Sequence, residues 1–383
     1  MGGCMRIFWL LARALWIGLI SLPAHGAESP DYLEQWLSTT KEEVYTEEPV
    51  TLSFAHPAPP ASLLPPVFQR VFDSVAFKTS GALTVNQFGG GSLYGEKGGF
   101  KAIRAGVADF GLCYSHNEKN GFEQTQLVNV PLATPTDPFL KARIIAEIAP
   151  RFLSPEFEKR GVYLGFVLPF KPLSLMSKTA IRSPADLKGK KVVSFVNTPG
   201  FAESAGFVKI SIPFPEIYTA LQQGLIDAVI WSDMGFIPFK IYEQAKFYTE
   251  INAASFSIES CINQKRFKKL SKNLRNTFYD SQQVVTAAVL EKSEQFHKQA
   301  RSIYRDKGVE ILLLTQEEQM AWQASYQPLL NNWLKHCDEA GKDCRGMLAE
   351  IQRLAEHYKN TSHAELIQLM LNKPVRGIID IGK

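Results

Sequence analysis

The sequence predicts an α/β protein of two domains with like topology, tied together by a helix long enough to cross both. Three observations lead there. A motif of the form A-[IL]-x-x-G-[VL]-x-D-x-[GV]-[LI] occurs twice without a gap, within GFKAIRAGVADFGLCYS at 99–115 and within PEIYTALQQGLIDAVIWS at 215–232. Around each copy, strand-like and helical stretches alternate, an order that favours parallel strands joined by right-handed crossovers. Residues 272–306 then carry an uninterrupted helical pattern without Pro or Gly. At about 1.5 Å per residue this reaches roughly 50 Å, more than one domain of this size spans.

The chain opens with a leader. Residues 1–26 combine a basic start at Arg6, an apolar run over 14–22, a helix-breaking Pro23 and the small-x-small site Ala24-His25-Gly26. That is the anatomy of a cleaved secretory signal peptide. Cys4 precedes the apolar run and so cannot be a lipid anchor at the cleavage point, and Arg13 interrupts the run, which disfavours a permanent span. The mature chain is expected to be exported, without stable membrane insertion after cleavage. Residues 27–48 read as a polar lead-in.

Domain I is placed at 49–165. VTLSFAHP is a strand ending at Pro57; Val67, Val71, Phe72 and Val75 then recur at helical spacing before Gly81; ALTVNQF is the next strand. The first motif copy supplies a helix, a stop at Gly106 and another strand. Domain II, at 166–252, repeats the plan, with GVYLGFVLPF, KKVVSF and DAVIW as strands and PEIYTALQQG as a helix. Gly106 and Gly224 suit left-handed helix ends. Asp109 and Asp227 suit tying down the turn into the following strand, a structural role. Residues 253–383 hold return strands, the long helix and C-terminal helices packing on both domains. Thr315 and Glu318 stand at capping-box spacing.

Composition excludes several classes. The chain has 383 residues, 45% hydrophobic and 21% charged, with a formal net charge of +4. Basic and acidic residues are interspersed, so no nucleic-acid partner is expected; Lys265, Arg266, Lys268, Lys269 and Lys272 read as a solvated helix face. No G-x-S-x-G, HExxH or phosphate-binding loop is present, and no cofactor, metal or enzymatic role is expected. Cys113 and Cys261 read as separate buried residues. Cys337 and Cys344 bracket a short loop, where a local disulfide and two free thiols are both open readings.

The segments RSPADLKGKKVVSF, PFPEIYTALQQGLIDAVIWS, GSLYGEKGGFKAIRAGVADFG and KIYEQAKFY together resemble the extracytoplasmic solute-binding subunits of TRAP transporters, the DctP-like family. The resemblance runs from about residue 50 to 334. It implies a periplasmic-binding-protein-like fold, two α/β domains around a ligand cleft with a long helix spanning both, and delivery of a small organic solute to TRAP permease membrane subunits from the periplasm. It also exposes departures. The family's carboxylate-pairing Arg corresponds to Val193, its cleft Asn to Trp231, and a usual polar position to Tyr114. A buried anion without its Arg partner would be penalised by roughly several kcal/mol. The solute is therefore expected to be atypical: neutral, cationic or aromatic, with Trp231 and Tyr114 offering stacking surface.

Further candidates lie at or near strand ends. His56 would face the cleft or cap the segment before Pro57. Glu96 and Lys97 sit on a Gly-rich rim loop or are solvent charges. Phe170, Lys171, Phe195, Asn197 and Asp233 are lining candidates, and Trp231 itself has strand-end packing as its alternative role. Two other functions stay open: a solute-binding sensor signalling to a membrane partner, and a conventional carboxylate binder using Lys171 or another basic group.

Overall fold

The computed structural model describes residues 48–381 except Ala61 and Asn197, together with Glu34 and Trp36. The leader at 1–26 and most of the lead-in lie outside the described residues. In chain order the strands are β1 (Val50–Ala55), β2 (Leu83–Phe88), β3 (Phe110–Cys113), β4 (Val162–Pro169), β5 (Ser174–Ser177), β6 (Lys191–Ser194), β7 (Val208–Lys209), β8 (Ala228–Trp231), β9 (Phe247–Thr249), β10 (Ser257–Asn263) and β11 (Glu310–Leu312). They form two mixed sheets. The first has the order β2-β1-β3-β10-β4, the second β11-β9-β5-β8-β6-β7.

The repeated motif is a repeated structure. In the first lobe β1 lies between β2 and β3, parallel to both; in the second β6 lies between β7 and β8, again parallel to both. Each motif copy begins as a helix, Gly99–Ala105 or Ile217–Gln222. Each helix is followed by a left-handed glycine, Gly106 (φ 81°) or Gly224 (φ 73°). The aspartate three residues on then fixes the neighbouring strand. Asp109 Oδ2 accepts the Ser53 N–H at 2.8 Å, and Asp227 Oδ2 accepts the Lys191 N–H at 2.8 Å. Their own N–H groups donate to the Ser53 and Lys191 carbonyls. Both aspartates lock a strand start.

Each lobe also takes a strand from elsewhere in the chain. β10 enters antiparallel between β3 and β4, so the segment GVYLGFVLPF belongs to the first sheet rather than opening the second. This pairing sets Cys113 and Cys261 diagonally across β3 and β10 with Cα atoms 5.7 Å apart, and they form a disulfide. They are not the separate buried residues the sequence suggested, because their partnership depends on an insertion 148 residues downstream. Cys337 and Cys344 form a second disulfide, Cα to Cα 6.0 Å.

Packing follows periodicity. The helix Leu64–Lys78 turns Phe68, Val71, Phe72 and Val75 into the first core, where Phe54 meets Phe110 at 4.7 Å and Phe72 at 5.0 Å between ring centroids. The second sheet is covered on both faces. Leu175, Val192 and Ile230 pack on one side, and their neighbours Met176, Val193 and Val229 pack on the other, as a period of two requires.

The helix Lys272–Asp306 is the long helix expected from the sequence. Its first half places Phe278, Val284, Val285 and Leu290 in the first core, and its last turns place Ala300 and Tyr304 in the second lobe. The chain also crosses between lobes at 170–173 and 250–256. These crossings hydrogen-bond to each other, Phe170 N–H to the Phe256 carbonyl at 2.9 Å and Leu173 N–H to the Ala254 carbonyl at 3.3 Å. Two paired crossings and a helix thus hold the lobes on either side of a cleft. Among the described residues no helix is long and apolar enough to cross a membrane.

Candidate functional site

A cavity of about 350 Å³ opens where the two lobes and the crossing segments meet. Leu64, Glu96, His116 and Ile258 come from the first lobe, and Phe195, Phe214, Trp231 and Met234 from the second. Phe170, Lys171 and Phe256 rise from the crossings, and His297 from the spanning helix. The mouths of parallel strands supply several of these positions, which is where open α/β sheets ordinarily bind ligands.

The second-lobe wall is aromatic. Trp231 ends β8, and its ring lies 4.3 Å from Phe195, 5.3 Å from Phe214 and 5.4 Å from Phe239, the last two stacked. Gly235 makes this placement feasible, since a Cβ there would stand 2.1 Å from the indole. Across the cavity Phe170 stacks on Phe256 at 6.2 Å. Such rings present broad apolar faces whose quadrupoles favour offset stacking on a planar ligand.

Charge enters at the edges. His116 sits between Tyr114 and Phe256, with its Nε2 3.7 Å from a Glu96 oxygen. Its bond to Glu96 holds that carboxyl below the ordinary range. Lys171 Nζ pairs with Glu294 of the spanning helix at 3.1 Å.

Asp233 has a different place. Its buried carboxylate meets His297 Nδ1 at 2.6 Å, Arg301 Nη1 at 3.0 and 3.1 Å, and the Tyr304 hydroxyl at 2.8 Å. Burial opposes its ionisation, yet these bonds and the Arg301 charge prevail and hold its pKa below the usual value. It borders a polar cavity of about 270 Å³ that shares Lys171, Ser232 and His297 with the aromatic one, and it fastens the spanning helix to the turn after β8. Asp233 positions the wall that carries Trp231.

Of the sequence candidates, Trp231, Glu96, Phe170, Lys171 and Phe195 converge on the aromatic cavity. Tyr114, Val193 and His56 do not line it. Tyr114 is buried at the end of β3, and burial pushes its hydroxyl pKa up, with the nearby Glu96 and Glu259 charges adding to this. Val193 is 3% exposed and faces the second-lobe core, because β6 pairs it with buried Val229. His56 is enclosed beside Phe54 and Phe68, where burial lowers its pKa. Asn197 lies outside the described residues.

Sequence reasoning missed His116, Phe214, Phe256 and His297. His116 follows Tyr114 by two residues and Phe214 sits inside the quoted PFPEIY segment, so both carried a local signal. Phe256 and His297 carried none, since only the return crossing and the spanning helix bring them in.

A second cavity, about 460 Å³, adjoins the first and shares His116, Leu173, Phe195 and Phe256 with it. It continues toward the helix Gln316–Glu339, which contributes Asn332, Trp333 and His336.

Comparison with known proteins agrees with this architecture. The family described as bacterial extracellular solute-binding protein, family 7 (DctP), matches residues 54–336. A solute-binding protein of Verminephrobacter eiseniae is 27% identical over 161 residues, covering 39% of this chain and 45% of that relative, so the match spans less than half of it. A TRAP periplasmic solute-binding protein from Desulfovibrio salexigens superposes with a TM-score of 0.75 at 20% identity, covering 82% of this chain and 98% of that one. A marine metagenome TRAP solute-binding protein, described as specific for aromatic acid ligands and crystallised with 3-hydroxybenzoate, superposes at 0.70 with 19% identity. The alignment covers 82% of this chain and all of that one.

Proposed function

The chain belongs to the DctP family of bacterial extracellular solute-binding proteins, and from that premise we propose that it captures a small organic solute bearing an aromatic group in the interlobe cleft. TRAP-type proteins of this family bind small solutes and work with TRAP permeases. In this reading the protein acts in the periplasm, delivers its solute to the two membrane subunits and catalyses nothing.

The observation that carries the reading is the wall formed by Trp231, Phe195 and Phe214 facing Phe170 and Phe256. A flat ring entering there would contact both lobes, and binding energy shared across the cleft selects the closed arrangement. The loss of the family's Arg at Val193 argues the same way. The position supplies no charge and faces apolar neighbours, so a compact dicarboxylate held in the family manner would lack its partner. Lys171 is a weaker substitute, being already paired with Glu294. A bare cation is also disfavoured, because Glu96 is engaged by His116. Of neutral, cationic and aromatic solutes, the aromatic class fits best.

Trp231→Ala tests the assignment directly. Isothermal titration with the solute recovered from the native protein should show binding weakened about tenfold or more, the loss expected for a desolvated ring contact. Unchanged affinity would make Trp231 a packing residue and remove the ground for an aromatic solute.

A further inference from the structure

The two adjoining cavities differ in chemistry. The first is walled by rings. The second takes Lys119, Asn129, Thr198, Asn332 and His336 into its lining, and no Asp or Glu is among its described lining residues. Neither Lys119 nor His336 is ion-paired to a carboxylate among the described residues, in contrast to Lys171 and Glu96 in the aromatic cavity. Phe195 and Phe256 belong to both cavities, so the two adjoin at these rings.

Resting on the aromatic reading above, we propose that the solute is elongated. Its ring occupies the aromatic cavity, and a polar tail ending in a negative charge extends past Phe195 and Phe256 into the second, toward Lys119 and His336. Two physical points support this. A chamber bordered by the Lys119 ammonium, with no carboxylate among its described lining residues, attracts anions and repels cations. Its volume exceeds that of the ring chamber, about 460 Å³ against about 350 Å³, so a ring with a one-carbon acid would leave the larger space without solute. The carboxylate of such a solute is separated from its ring, which explains how an anion binder can dispense with a basic group at Val193: the charge is recognised at the far side of the cleft by a loop and the helix Gln316–Glu339.

The test compares acid with amide at two lengths. Benzoate and benzamide place the variable group next to the ring; hippurate and hippuramide place it at the end of a short polar tail. Titration calorimetry on the full mature protein, stripped of carried-over ligand, should show hippurate preferred over hippuramide by about tenfold, with little preference within the shorter pair. A Lys119→Gln/His336→Gln variant, two changes at the cleft surface, should bring the hippurate preference down to that of benzoate. It should leave hippuramide binding unaltered, which a general loss of structure would not. An acid preference equal in both pairs, or one that survives in the double variant, would overturn the tail chamber. Ring binding still lost in Trp231→Ala would then leave the aromatic reading standing. Failure of all four probes to bind would overturn both.

Discussion

Val193 shows what one residue can decide. The resemblance places an Arg there, and the structure places the valine among Met176, Ile217 and Val229, below Phe195 and Trp231. A guanidinium at that point would enter an apolar layer, a penalty of roughly several kcal/mol. Val193→Arg should therefore lower the denaturation midpoint markedly and confer no affinity for succinate. A folded variant that binds succinate would mean that the ordinary family pocket persists beneath the aromatic wall. Glu259 is a second decisive residue, and nothing in its local sequence announced it. It is fully buried on β10, where one oxygen accepts the Ser115 N–H at 3.0 Å, and burial pushes its pKa up to about 7 from an ordinary 4.5. Buried Lys141 is pushed down to about 7 by the same desolvation, with the Glu259 charge pulling the other way. The sign follows from linkage. A carboxyl that holds its proton more tightly when folded stabilises fully below 4.5, and that contribution drains away as pH rises to about 7. Urea titrations at pH 5 and pH 7.5 should show wild type losing on the order of 1–3 kcal/mol relative to Glu259→Gln over that interval. Parallel behaviour of the two proteins would refute the assignment.

At the scale of elements, the legible parts were those with a local code. The repeated motif showed the helix stop and the aspartate in each lobe because both lie within a dozen residues. The spanning helix declared itself by thirty-five residues of helical pattern, and its bounds agree with the expectation at both ends. The capping box at Thr315 and Glu318 is present, with the Glu318 N–H donating to Thr315 Oγ1 at 3.2 Å. What stayed hidden was strand exchange. Nothing in SIESCIN says that it will slot between β3 and β4, since its partners are set by the sheet edges left open by the first lobe. The cysteines inherit that ambiguity. The Cys113–Cys261 link closes a loop of 148 residues and joins the inserted strand to its host, whereas Cys337–Cys344 closes a loop of seven. By loop entropy the longer link stabilises more, with about 5 kcal/mol as its ceiling. Replacing Cys113 and Cys261 by Ala should accordingly reduce the melting temperature well beyond the effect of replacing Cys337 and Cys344. A larger effect at the short loop would show that native-state contacts, and not chain closure, govern these links.

For the whole molecule the cleft was legible as a place and only partly as a surface. Five of the sequence-derived candidates, Trp231, Glu96, Phe170, Lys171 and Phe195, surround one cavity because they stand at strand ends, on the Gly-rich loop or on the first crossing. Residues farther inside the same strands, such as Val193 two positions before Phe195, are enclosed in the core, so strand ends alone do not say which side chain reaches the cavity. Paired crossings at 170–173 and 250–256 and the Asp233 anchor on the spanning helix let the two lobes meet around a ligand without unfolding either one. A solute that bridges the lobes must then stabilise the folded protein by mass action. The most direct measurement is a thermal-shift screen of refolded, ligand-free protein, setting ring-bearing solutes against non-aromatic dicarboxylates, sugars and simple amines. An aromatic cleft requires a rise in melting temperature confined to the ring-bearing compounds. A rise with non-aromatic dicarboxylates alone would contradict it and return the protein to the ordinary chemistry of its family.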